Sequence, residues 1–127
     1  MSTFYELINW KIKINNKELS GPGRLKLDLE NAKGVKILEK ESDGSSFTFK
    51  NDEGLFIWYD LPNNKNIELT YILNPSDTTE GLKKITGTFS YISNNDRVKY
   101  EIDTLSINVI KKNKEHQDIS VKTNRTI

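Results

Sequence analysis

The chain contains no cysteine. Disulfides, thiolate-ligated zinc, iron–sulfur clusters and thiol nucleophiles are excluded at once. Histidine is almost as scarce. His116 is the single one, set in a polar stretch between Glu115 and Gln117, which leaves neither a histidine metal cluster nor a Ser-His-Asp triad to assemble. Glycine is sparse too, and none of the seven glycines falls in a G-x-S-x-G elbow or in a phosphate-cradling loop; H-E-x-x-H is also absent. The common routes to catalysis are closed, so the expectation is a chain that is not an enzyme and needs no cofactor.

Neither charge sign dominates. Nineteen basic residues stand against 18 acidic ones, a net charge of +1, which gives no footprint for nucleic acid or for an anionic membrane. Long apolar runs are lacking as well. Nothing approaches the ~20 residues of a membrane span, and MSTFYELINWKIKIN has neither the basic nor the apolar region of an export signal. If Met1 is the true start, the expected location is the cytoplasm; for a chain trimmed from a longer one it is the envelope or the cell exterior.

What the sequence does contain is a period of two. Trp10, Ile12 and Ile14 alternate with Lys11 and Lys13, and Leu25, Leu27 and Leu29 with Lys26, Asp28 and Glu30. Such alternation puts one face of a strand in a core and the other in water. Further strands are expected at Val35 to Lys40, Ser46 to Lys50, Leu55 to Asp60, Ile67 to Leu73, Lys84 to Ile92, Arg97 to Ile102 and Leu105 to Ile110. The intervening stretches are Asn15-Asn16, Ser20-Gly21-Pro22-Gly23, Ser42-Asp43-Gly44, Asn51-Asp52-Glu53-Gly54, Pro62-Asn63-Asn64, Asn74-Pro75-Ser76-Asp77 and Asn94-Asn95-Asp96. All are rich in residues that reverse a chain. No segment carries a helical stripe. Short strands with one apolar face each predict a single all-β domain over residues 1–110, an antiparallel sandwich of about seven to nine strands. Residues 1–9 read as an N-terminal arm, and 111–127 as a polar tail that is either flexible or bound to a partner.

The stretch GLFIWYD departs from simple alternation. If Phe56 and Trp58 face the core, Leu55, Ile57 and Tyr59 face the other way, and this strand is apolar on both sides. The second face calls for a cover, either the chain itself or a partner. Candidate partner contacts are Phe4, Tyr5, Leu7 and Ile8 in the arm, Leu55, Ile57 and Tyr59 on that face, and Ile119 and Val121 in the tail. Ile119 to Val121 is the segment suited to adding a strand to a neighbour's sheet. Two other readings use the same residues. Trp58, Tyr59 or Tyr91 offers a platform for sugar rings, and the acidic turns Glu41-Ser42-Asp43 and Asp52-Glu53 offer oxygen ligands of the kind calcium takes, though neither has the EF-hand spacing.

From Leu25 to Leu73 a sequence of features carries a family likeness. Asp28-Leu29-Glu30-Asn31-Ala32-Lys33-Gly34 stands where an Asp-x-Leu-Pro-x-Gly stretch would, without its proline. Trp58 follows in a tryptophan strand, Leu61-Pro62-Asn63-Asn64 in a turn, and Leu69-Thr70-Tyr71 in the next strand. This order resembles the immunoglobulin-like repeat domains of bacterial surface and envelope proteins, over less than half of the chain. The resemblance implies an immunoglobulin-like sandwich with Trp58 in its core, acting as a spacer or adhesive module. The expected partner is then protein, either a second copy or another subunit of an assembly, with carbohydrate as the alternative.

Overall fold

The computed structural model describes residues 8–15, 19–62, 66–110 and 124–126. These residues form nine strands: β1 (Ile8–Ile14), β2 (Gly23–Asp28), β3 (Val35–Glu41), β4 (Ser46–Lys50), β5 (Glu53–Trp58), β6 (Ile67–Pro75), β7 (Gly81–Ser93), β8 (Asp96–Val109) and β9 (Asn124–Thr126). They make two sheets, in the orders β3-β6-β1-β9 and β4-β5-β2-β7-β8. All pairings are antiparallel except that of β9, which lies parallel to Lys11–Lys13 of β1. No helix of the described residues is long and apolar enough to cross a membrane.

The core is the sum of the alternating faces. Trp10, Ile12 and Ile14 from β1 and Ile67, Leu69, Tyr71 and Leu73 from β6 are buried together with Leu25, Leu27, Phe56, Trp58 and Phe89 of the other sheet. One dry face per strand is what stacks two sheets about 10 Å apart. The chain is therefore an all-β sandwich. Its strand order nests the pairs β2–β7, β3–β6 and β4–β5. As a result β1 and β2 belong to different sheets, whereas the first two strands of an immunoglobulin constant-type domain are neighbours in one sheet.

Several boundaries differ from the periodicity, each for a physical reason. The two strands expected at Arg97 to Ile102 and Leu105 to Ile110 are the single β8. Between Ile85↔Leu105 and Gly87↔Ile102 the register shifts, because β8 carries one residue more than β7 there. That bulge reverses the parity of the alternation, so one strand reads as two. The strand expected from Leu55 begins instead at Glu53, and Gly54 lies within it. Asn51 and Asp52 both have positive φ (53° and 59°), the geometry of a two-residue type I′ hairpin that needs no glycine of its own. Gly54 is small for another reason: a Cβ there would lie 2.6 Å from Ile37 Cδ1. Within the stretch read as a polar tail, Asn124–Thr126 pairs with the chain's own β1.

The two lateral sides of the sandwich are built differently. On one, β3 and β4 are consecutive edge strands joined by a tight turn, and that turn is stitched down. The Trp58 indole N–H donates to the Asp43 carbonyl (2.8 Å), and the Glu68 backbone N–H donates to the Asp43 carboxylate (2.9 Å). On the other side, β8 is the last strand of its sheet.

Candidate partner-binding edge

Among the described residues β8 pairs with β7 alone. The β7–β8 hairpin turns through Asn94 and Asn95, both at positive φ (51° and 68°), with Ser93 opposite Asp96. In a type I′ hairpin the flanking residues form a hydrogen-bonded pair, and hydrogen bonding then alternates along the strand. Asp96, Val98, Tyr100 and Ile102 therefore turn their backbone groups toward β7. Arg97, Lys99 and Glu101 turn theirs outward, along the free edge.

The side chains of β8 divide between two faces. Val98, Tyr100 and Ile102 share the inner face with Phe89 and Tyr91, since Tyr100 pairs with Phe89 and Val98 with Tyr91. The opposing sheet does not cover this end fully: Val98 and Ile102 are half-buried and Tyr100 is 48% exposed. A file of rings runs from the core to this ledge. Trp58 meets Phe89 edge-on at 6.3 Å, Phe89 lies 6.0 Å from Tyr91, and Tyr91 stacks on Tyr100 at 6.2 Å, with 19° between the planes. The hydrogen bond between the two tyrosine hydroxyls, with partial burial, raises the Tyr91 pKa above its ordinary value. On the outer face the Arg97 guanidinium donates to Ser90 Oγ (3.2 Å), and the Thr88 hydroxyl donates to the Glu101 carboxylate (3.2 Å).

Of the residues expected at a partner surface, Leu55, Ile57 and Tyr59 have described side chains. Phe56 and Trp58 are buried, 0% and 1% exposed, so the interior side of GLFIWYD is as alternation predicts. Trp58 is thereby removed from any sugar platform. Leu55 and Ile57 lie on the outer face of the five-stranded sheet. Ile57 stands between Ser46 and Arg24, and Leu55 between Thr48 and Lys26. The apolar pair is thus flanked by polar and charged neighbours. Leu55 is half-buried and Ile57 is 39% exposed, whereas Tyr59, beyond the end of β5, is 90% exposed. The Ile8 backbone belongs to β1 in the other sheet, opposite Leu73. Phe4, Tyr5, Leu7, His116, Ile119 and Val121, with Asn16, Asn63 and Asn64 of the expected turns, lie outside the described residues.

The acidic turns are engaged separately. Asp52 accepts from Lys33 Nζ at 2.8 Å, an exposed contact that raises the lysine pKa by hydrogen bond and charge, and Glu53 lies 3.4 Å from Lys26 Nζ. No group of three carboxylate or histidine side chains comes together among the described residues in a way that fits a metal ion. Periodicity did not single out Tyr100, because it sits at an edge where an inward-pointing residue is not a buried one. The available signal was the hairpin itself: Asn-Asn between two long runs of strand character. No family model matches the chain, and no curated protein or solved structure matches it either.

Proposed function

We propose that the chain is a non-enzymatic structural or protein-binding module, one component of a larger assembly, which accepts a partner strand along β8. The observation that carries this reading is the edge itself. A strand of 14 residues, paired on one side only among the described residues, presents a row of unpaired N–H and C=O groups that templates strand addition. The Tyr91–Tyr100 ledge beside it supplies amphipathic ring surface of the kind enriched at interfaces.

The test is Glu101→Pro. It removes an outward N–H and the exposed Thr88–Glu101 side-chain bond while leaving the backbone bonds to β7 in place, at a position where an edge strand tolerates proline. The native mass of the protein isolated from its own cell should exceed that of one chain for the wild type and fall for the variant, with the thermal midpoint kept within a few degrees. Tyr100→Ser should weaken the same association. A wild type that is found only as a single free chain contradicts the proposal.

A second reading rests on the exposed rings of Tyr59 and Tyr100, which offer single faces to a sugar. Binding on a glycan array that is abolished by Tyr59→Ser or Tyr100→Ser, with or without chelator, would favour it over strand pairing.

A further inference from the structure

The free edge of β8 has a charge order that is its own complement. From Arg97 the strand reads Arg-Val-Lys-Tyr-Glu-Ile-Asp, ending at Asp103. Reversed about Tyr100, each cation falls on an anion and each aliphatic residue on an aliphatic one: Lys99 on Glu101, Arg97 on Asp103, Val98 on Ile102. Two antiparallel strands related by a two-fold axis are paired by this same reversal, since a closed dimer uses one patch twice.

We propose that β8 pairs with β8 of a second copy of this chain, antiparallel and centred on Tyr100, so that the two five-stranded sheets become one continuous sheet. This rests on the reading of β8 as a binding edge and names the occupant. Backbone geometry agrees with that register. Lys99 and Glu101 turn their N–H and C=O groups outward, so Lys99 of one copy and Glu101 of the other become the hydrogen-bonded pairs, on both sides of the axis. Tyr100 then meets its own counterpart at a non-hydrogen-bonded site, where side chains approach most closely, and the two half-exposed tyrosine ledges become contiguous. The overlap runs from Arg97 to Asp103. It ends at the β8 bulge, which interrupts the ladder between Ile102 and Leu105. No other centre between Arg97 and Asp103 pairs each charge with its opposite.

The two-fold axis makes a decisive charge swap possible. Lys99→Glu places Glu against Glu twice in its homodimer, and Glu101→Lys places Lys against Lys twice. Mixing the two variants restores two opposite-charge pairs in the heterodimer. Sedimentation or native mass spectrometry of the purified full chain should show a species of twice the 14.6 kDa chain mass. For each single variant the dimer should be weaker by about tenfold or more, and an equimolar mixture should return it to wild-type affinity as a one-to-one heterodimer. Recovery on mixing also shows that neither variant is unfolded. A wild type that stays monomeric at every concentration, or variants that dimerise as well alone as mixed, overturns the proposal. A monomeric wild type that still loses a different partner on Glu101→Pro overturns self-pairing alone and leaves the binding edge standing.

Discussion

Trp58 is where a single residue does most for this fold. Its ring is buried, meets Phe89 edge-on, and its indole N–H holds the Asp43 carbonyl of the β3–β4 turn. Trp58→Ala should cost about 3–5 kcal/mol in urea unfolding, the range for emptying a large aromatic site. Tyr59→Ser, one position along at 90% exposure, should fall within about 0.5 kcal/mol of wild type. Equal losses at the two positions would contradict the assignment of faces. Tyr91 gives a second test at this scale. Its pKa is raised first by the hydrogen bond to Tyr100 and then by burial. A raised pKa means that the stabilising contribution is complete below the unfolded value near 10 and is lost as pH rises through the folded value. Site-resolved NMR titration should show the Tyr91 phenol ionising above its ordinary value, and Tyr100→Phe should lower its midpoint.

At the scale of elements, alternation was legible because every strand of a sandwich has one dry face. Trp10, Ile12, Ile14, Leu25, Leu27, Phe56 and Trp58 all lie where a period of two puts them. What alternation could not show were the interruptions. Gly54 looks like turn chemistry but is small to admit Ile37, and the β8 bulge shifts parity with no glycine or proline in β8 itself, the one glycine there being Gly87 across the pair on β7. The hairpins invite a direct check. Asn95 holds φ at 68°, a conformation that glycine adopts without strain and that Asn-Gly favours in a type I′ turn. Asn95→Gly should leave stability equal or higher by up to about 1 kcal/mol, whereas Asn95→Val should lower it by about 1–2 kcal/mol, because a β-branched residue resists positive φ. Thermal unfolding of the two variants reads both signs, and a tolerated valine would contradict the turn type.

For the whole molecule, the sandwich was readable and its wiring was not. Pairings such as β1 with β6 and β2 with β7 join segments far apart in sequence, and local pattern carries no information about which dry face meets which. The same limit hid the β8 edge, since whether β8 ends a sheet depends on all the other pairings. Seen from the completed topology, the molecule is asymmetric. Its β3–β4 side carries two edge strands joined by a stitched turn, and its β8 side presents backbone groups in a row beside two tyrosines.

Hydrogen exchange along β8, measured in dilute and in concentrated protein, tests this account most directly. The amides of Val98, Tyr100 and Ile102 should be protected in both, held by β7. Those of Arg97, Lys99 and Glu101 should exchange fast when dilute and slow when concentrated, as the edge is taken up by a second strand. Outward amides already protected in the dilute single chain, or unprotected at every concentration, would contradict the claim that β8 is an open edge awaiting a partner.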